Sequence, residues 1–372
     1  MDVFKLVQPA FLGGFKLSDW IRLLRDNSAR VEPRYLPRAV IATLGAAATS
    51  LLSCVEPRPR LTNSQREAWN HTIFILGLPR SGTTYLQNLL AMNPEFAYPT
   101  RLDCYNPHTL LVLRKLGIHR LLGMLKEKIR IMDNVKTGWL TPEEDIIALT
   151  VMTAEGPRLA EVFGQRCHNY YAQSPLNPEW RGNDIWKKAM AEFTQKLVWL
   201  HNKQLVLKTP SHSMRIADIV EVFPDARFVT IFRNPFDQNR SLRTMNRTVA
   251  SSNWCALQPQ TPFPEDQLSS YINMFLTSYF MTRDLIPQKN LLEVTYESLV
   301  ASPLETLSSI HEKLGIPGMG ALANHLANDK QYQKNLHPEL TPVEREQVRT
   351  AYAPLFAAGY YSEVLNDICM GG

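Results

Sequence analysis

Cysteine is scarce and scattered. Cys54, Cys104, Cys167, Cys255 and Cys369 lie far apart, their number is odd, and no Cys-x-x-Cys pair occurs. A disulfide framework and a structural zinc site are therefore not expected, and a reducing cytoplasm suits the chain best. An excess of one charge is lacking too: 40 Lys and Arg stand against 35 Asp and Glu, a net +5 over 372 residues. That surplus is too small and dispersed for a nucleic-acid partner, but it suits an anionic small molecule if the cations converge on one pocket. Internal repeats and low-complexity blocks are missing, and no basic stretch followed by an apolar run marks a secretory signal near the N-terminus. Residues 39–55 carry no charge and are rich in Ala, Thr, Ser and Gly. The segment is at the lower limit for a membrane span and weakly apolar, so it reads as a helix buried on the main domain, with peripheral membrane contact as the alternative.

The remaining composition is that of a globular protein. Apolar residues make up 45% and charged residues 20%, which excludes a disordered or fibrous chain. The length suffices to bury a core without metals or disulfides. Near the start, Ser18 is placed to cap a helix containing Trp20, Ile21, Leu23 and Leu24. From residue 72 short apolar runs read as buried strands: Thr72 to Gly77, Gln204 to Leu207, Arg227 to Phe232 and Asn290 to Tyr296. Helical patterns at Thr83 to Met92, Ile185 to Leu200, Ser213 to Phe223, Asp266 to Ile286 and Pro303 to Leu314 alternate with them. Such alternation means βαβ units and a parallel sheet. Residues 104–183 break it and read as a helical insertion over the acceptor side. The expected organisation is a helical N-terminal extension over residues 1–70 and one α/β domain over 71–372.

The strongest motif is Gly77-Leu78-Pro79-Arg80-Ser81-Gly82-Thr83-Thr84, which follows a predicted strand and opens a predicted helix. Backbone N–H groups in such a turn converge on anionic oxygens, and the helix N-terminus adds its positive end. Thr83 stands where a nucleotide hydrolase has the lysine that neutralises β- and γ-phosphates. A shorter anion with a single 5′-phosphate fits better, with Arg80, Thr83 and Thr84 as donors. A second motif, Arg233-Asn234-Pro235, directly follows the strand Arg227 to Phe232, with Ser241 eight residues beyond Arg233. An arginine at the C-terminal end of a parallel strand faces the ligand crevice, and its planar fork suits a phosphate. Together the two motifs predict a nucleotide phosphorylated at both its 5′ and 3′ positions. Whether Ser241 reaches that phosphate depends on how its helix docks.

In these motifs the chain resembles the sulfotransferase superfamily that uses 3′-phosphoadenosine 5′-phosphosulfate (PAPS), most of all the bacterial type with a Gly-Leu-Pro-Arg-Ser/Thr-Gly-Thr-Thr loop. The resemblance spans roughly residues 70 to 355 and includes Pro142-Glu143-Glu144-Asp145, Leu207-Lys208-Thr209-Pro210 with His212, Phe223 to Phe228, and Tyr296-Glu297-Ser298-Leu299. It implies a P-loop NTPase-like central parallel sheet flanked by helices. It also implies that Arg80, Ser81, Gly82, Thr83 and Thr84 hold the 5′-phosphosulfate and that Arg233 and Ser241 hold the 3′-phosphate. Tyr85 and Tyr296 would contact the adenosine, an aromatic at 85 being suited to stack on the base. Lys334, in Tyr332 to Lys334, would belong to a reduced form of the family's late 3′-phosphate loop, whose usual Arg-Lys-Gly run is absent.

The implied reaction is sulfation, transfer of a sulfuryl group to a hydroxyl of a small or lipid-like acceptor. Charge builds on the bridging oxygen as its bond to sulfur breaks, and a cation there stabilises the transition state. Lys208, at a strand end, and Arg80 are the candidates; no metal is required. The acceptor also needs a general base. Asp103, His212 and the pair Glu143 and Glu144 compete for that role, and His108 is a further candidate. His71, His168 and His201 read as structural. Trp139, Trp180, Trp186 and Trp199 either line an acceptor pocket or pack the core. Arg240, Arg243 and Arg247 read as a solvated or anion-attracting face. The competing functions are a P-loop kinase or NTPase, disfavoured by the missing lysine, and an inactive nucleotide-binding homologue.

Overall fold

The computed structural model describes residues 9–129, 135–172, 184–260, 262–320, 322 and 338–363. The N-terminal third holds helices α1 (Leu17–Asp26), α2 (Leu36–Ser53) and α3 (Asn63–Asn70), strand β1 (Ile73–Leu76), α4 (Thr83–Ala91), β2 (Phe96–Ala97), α5 (Arg101–Tyr105), α6 (Leu110–Lys115) and α7 (Ile118–Gly123). Strands β3 (Lys128–Ile129) and β4 (Lys136–Thr137) follow, then α8 (Ile146–Thr153), α9 (Cys167–Ala172), α10 (Asp184–His201), β5 (Gln204–Lys208), α11 (Ile216–Val222) and β6 (Arg227–Phe232). The last part contains α12 (Pro235–Ser252), α13 (Glu265–Thr282), β7 (Leu291–Thr295), α14 (Tyr296–Ala301), α15 (Pro303–Leu314), α16 (Pro342–Ala351) and α17 (Ala353–Ala357). These elements divide between two units, one formed by Met1–Thr72, Phe96–Thr209 and Thr248–Pro262, the other by Ile73–Glu95, Pro210–Arg247 and Phe263–Gly372.

In the unit that begins at Ile73, β1, β6 and β7 are parallel, with β6 in the middle. Ile73, Phe74, Ile75 and Leu76 are all buried, as a strand covered on both faces requires. Leu76 is paired with Thr230, and Phe232 with Thr295. Three parallel strands therefore deliver the loop after Leu76, Arg233 and Tyr296 at their C-terminal ends, where open α/β sheets bind ligands.

In the other unit, β2 and β5 are parallel, Phe96 opposite Gln204 and Ala97 opposite Leu205. Helix α2 accounts for the uncharged segment. Its small residues Ala39, Ala42, Ala46 and Thr49 are buried. Gly45 lies so close to Gly13 that an added Cβ would sit 2.8 Å from the Gly13 Cα. Leu36, Val40, Leu44 and Leu51, on another face, are exposed. The segment Pro33–Ser53 is long and apolar enough to cross a membrane by length and composition, and 28% of an 18-residue stretch within it is buried.

Three expectations shift. Ser18 lies inside the first turn of α1, and Lys16 occupies the N-cap without a side-chain bond. The helix expected over Ser213 to Phe223 is instead a 3₁₀ turn, Pro210–Met214, followed by α11. Ser213 is held by a contact the sequence does not advertise: its hydroxyl accepts the Gly77 N–H at 3.0 Å. The region 104–183 holds α6, α7, α8 and α9 joined by turns and irregular stretches, with a small antiparallel ribbon of β3 and β4. Two-residue strands are too short to show an alternating pattern.

Candidate active site

The loop after β1 has the backbone that an anion cradle demands. Gly77 and Gly82 have φ of 144° and 102°. A Cβ on Gly77 would lie 2.6 Å from the Ile231 carbonyl oxygen, and one on Gly82 would lie 2.4 Å from the Tyr296 ring. Only glycine meets both conditions at either position. Arg80 also takes a positive φ, 69°, unusual for a residue with a side chain. Gln238 Nε2 donates to the Pro79 carbonyl at 3.1 Å and helps fix the turn. Gly82 then caps α4, which places Thr83, Thr84 and Tyr85 in its first turn.

Arg80 joins the two predicted phosphate motifs. Its Nε donates to Ser241 Oγ at 2.9 Å, and its carbonyl accepts from an Arg233 guanidinium nitrogen at 3.1 Å. The docking of α12 thus brings Ser241 to the loop. The Arg233 guanidinium lies 4.5 Å from the centroid of the Tyr296 ring, a cation–π contact. Two buried polar atoms in this cluster, Ser81 Oγ and Arg233 Nε, make no hydrogen bond to a described residue. Buried donors left open where a loop converges are what an anionic ligand would satisfy. The residues present fit a doubly phosphorylated nucleotide. Lys334 lies outside the described residues, as does Trp180.

In the other unit Lys208 ends β5 almost completely buried and donates to Glu144 at 2.7 Å. Thr209 explains why Glu144 is there. Its hydroxyl donates to Asp145 at 3.0 Å and accepts the Ile146 N–H at 3.2 Å, tying the strand end to the start of α8. Glu144 also pairs with Arg158 at 2.5 Å, and Arg158 reaches Glu161 at 2.6 Å. The Trp254 indole donates to Glu161 at 2.8 Å. Burial works against the Arg158 charge, but Glu161 and Glu144 outweigh it and raise its pKa well above the ordinary value. Sequence reasoning missed Arg158, Glu161 and Trp254. Arg158 is a single cation in a 3₁₀ turn, Pro157–Glu161, and no spacing rule links it to Glu144.

The other candidate bases are differently placed. Asp103 is buried, accepts the Thr100 N–H and hydroxyl at 3.0 and 2.6 Å, and pairs with Arg114 at 2.7 Å. It caps α5 and balances a cation. Glu143 pairs with Arg101 at 2.9 Å. His212 is buried edge-on against Phe74, ring centroids 5.5 Å apart. The solvated arginine face is corrected at Arg243, which is buried and bonded to Asn239, Glu265 and Gln347, each at 2.8 Å. Trp186 is buried and Trp199 is exposed. Among the described residues no three His, Cys, Asp or Glu are grouped to hold a metal.

Burial, reinforced by Lys16 and Lys196, lowers the His108 pKa from 6.5 to about 4. The unfolded chain binds this proton more tightly, so the stability contribution is complete above pH 6.5 and is lost as pH falls toward 4, amounting to about 3 kcal/mol. Urea unfolding at pH 7 and pH 4.5 should show His108→Asn losing less stability on acidification than the parent; an equal loss would remove His108 as the cause.

Comparison with known proteins agrees with this architecture. A family model described as "Sulfotransferase family" matches residues 72–319. The ω-hydroxy-β-dihydromenaquinone-9 sulfotransferase Stf3 of Mycobacterium bovis is 27% identical over 341 residues, 89% of this chain and 86% of its own length, and the Mycobacterium tuberculosis protein of the same name matches equally. Among solved structures, sulfotransferase STF1 of M. tuberculosis superposes with a TM-score of 0.55 at 17% identity, covering 91% of this chain and 92% of its own. STF9 of Mycobacterium avium gives 0.53 at 17% identity over 93% and 86%. These structures share the α/β fold, a parallel sheet flanked by helices with a P-loop-like turn. With the match extending from β1 through α15, the chain belongs to the Sulfotransferase family and is a sulfuryl-transferring enzyme.

Proposed function

We propose that the protein transfers the sulfuryl group of PAPS to the hydroxyl of a lipid-like alcohol, without a metal. The observation that carries the donor assignment is Arg80, whose side chain and carbonyl tie the phosphate loop to Ser241 and Arg233. Two anion sites in one cluster, with Thr83 where a hydrolase lysine would stand, suit adenosine 3′,5′-bisphosphate better than ATP. Arg80 and Ser81 to Thr84 hold the 5′ group, Arg233 and Ser241 the 3′-phosphate. Tyr85 and Tyr296 border the adenosine, and Lys334 adds a cation to the 3′ side. The donor supplies the reactive phosphosulfate anhydride. Lys208 stabilises the charge developing on its leaving oxygen. Glu144 takes the acceptor proton, its carboxylate lying against the Lys208 ammonium that stabilises the leaving oxygen. Asp103, Glu143 and His212 are then supporting residues. The lipid-like acceptor rests on the menaquinone derivative in the relative's name and on the exposed apolar face of α2, which would touch a membrane through residues 39–55.

Calorimetry tests the donor site. Adenosine 3′,5′-bisphosphate should bind without Mg²⁺ at least about tenfold more tightly than 5′-AMP, a difference of ~1.4 kcal/mol. Arg233→Ala should erase that preference through loss of charged hydrogen bonds worth ~1.5–3 kcal/mol. Equal affinity for the two nucleotides would refute the 3′-phosphate site, and Mg²⁺-dependent ATP binding would favour a kinase.

A further inference from the structure

Apart from α2, the unit that carries Lys208 exposes a second apolar surface on α7 and its flanks. Leu116, Leu121, Met124, Leu125 and Ile129 are between 56% and 74% exposed. Lys115, Arg120, Lys126, Lys128 and Lys136 are exposed around them, and Glu127 is the one acidic residue between 115 and 129. None of these five cations forms an ion pair with a described residue. The ribbon sets Ile129 opposite Lys136, so an apolar and a cationic side chain stand side by side on one face there as well. The patch has support beneath it: Gly123 lies against Leu140, an added Cβ meeting that side chain at 2.7 Å. The helix that leads into it, α6, is anchored to the segment just after α2. Glu56, next to the exposed Val55, accepts the backbone N–H groups of Leu111 and Val112 in the first turn of α6, each at 3.0 Å.

We infer that the surface formed by residues 115–129 and Lys136 docks on an anionic lipid bilayer. Charge complementarity selects this occupant. Exposed leucines flanked by lysines insert at the headgroup boundary while the cations meet anionic phosphates, and each basic residue near such a surface adds to the attraction. An ordinary solvated face would not gather five large apolar side chains. The inference deepens the lipid-acceptor reading by naming the surface from which the acceptor is drawn, and for that purpose it rests on that reading. The docking itself needs neither donor nor acceptor.

Full-length protein is sedimented with vesicles of phosphatidylcholine alone or mixed three to one with phosphatidylglycerol. The anionic vesicles should bind about tenfold or more tightly. Raising salt from 0.1 M to 1 M should weaken binding, because the screening length falls from about 10 Å to about 3 Å. Leu121→Ser with Met124→Ser and Leu125→Ser, and separately Lys126→Glu with Lys128→Glu, should each reduce binding about tenfold. Melting temperature and adenosine 3′,5′-bisphosphate affinity should stay unchanged. The inference is overturned by indifference to phosphatidylglycerol, or by binding that survives both variants. It is overturned equally if the triple variant abolishes only self-association in ultracentrifugation, which would make the patch a contact between copies. Vesicle binding that fails while the bisphosphate still outcompetes 5′-AMP removes the docking surface alone. The reverse pattern removes the donor-site reading and leaves the docking surface standing.

Discussion

Lys208→Met lowers kcat by about 10²–10³-fold and leaves the Kd for adenosine 3′,5′-bisphosphate within about twofold. Methionine keeps most of the volume of a side chain that is nearly fully buried, so packing on β5 survives. Glu144 is not stranded, because Arg158 still faces it at 2.5 Å. What disappears is a fixed cation in a site with little water. Such a charge contributes most where new negative charge appears during reaction, and little to a ground-state complex. Steady-state kinetics with PAPS and a long-chain alcohol gives kcat, and calorimetry gives Kd. A variant with normal kcat and weakened nucleotide binding would turn Lys208 into a binding residue and remove its assigned role.

Glu144→Gln is the second large effect. Removing the proposed general base costs about 10²–10⁴-fold in kcat; the amide oxygen still accepts from Lys208, while loss of the carboxylate charge destabilises that buried ammonium as well. Asp103→Asn supplies the contrast. Asp103 caps α5 and pairs with Arg114 while buried. Its substitution leaves the half-buried Arg114 guanidinium short of its counter-charge and destabilises the protein by about 3–5 kcal/mol, with kcat of the folded fraction near the parent value. Turnover per folded molecule, with thermal melting to count the folded fraction, therefore separates the two carboxylates. If Asp103→Asn keeps its melting temperature and loses turnover while Glu144→Gln stays active, the base is Asp103 and the present assignment is inverted.

Strands β1, β5, β6 and β7 and the phosphate loop were legible because their causes are local, whereas the two-residue strands β2, β3 and β4 were not. A run such as Ile73 to Leu76 bounded by Gly77 has few alternatives to a buried strand, and Gly77 and Gly82 stand where a side chain would collide with Ile231 or Tyr296. Arg233 was legible for the same reason, as the residue immediately after β6. Local signals failed where a residue's partner is distant in sequence. Ser213 reads as part of a helix but is held by Gly77, 136 positions away. Arg243 reads as one of a solvated trio, yet its guanidinium is held between Glu265 and Gln347. Asp103, His212 and the pair Glu143 and Glu144 all stay open as bases in the chain, since nothing local says which charge each one meets.

By itself the sequence determined the alternation of strands and helices, the backbone shape of the anion loop and the residues that follow each strand. Steric limits on φ and ψ and the period of apolar residues act over a few neighbours. Only the tertiary structure decided which polar groups meet: Arg80 with Ser241 and Arg233 in one unit, Glu144 with Lys208 and Arg158 in the other, and the side of α7 that stays uncovered. Charge pairing falls off within a few ångströms and is indifferent to sequence separation, so it is settled by packing, after the local rules have been used up.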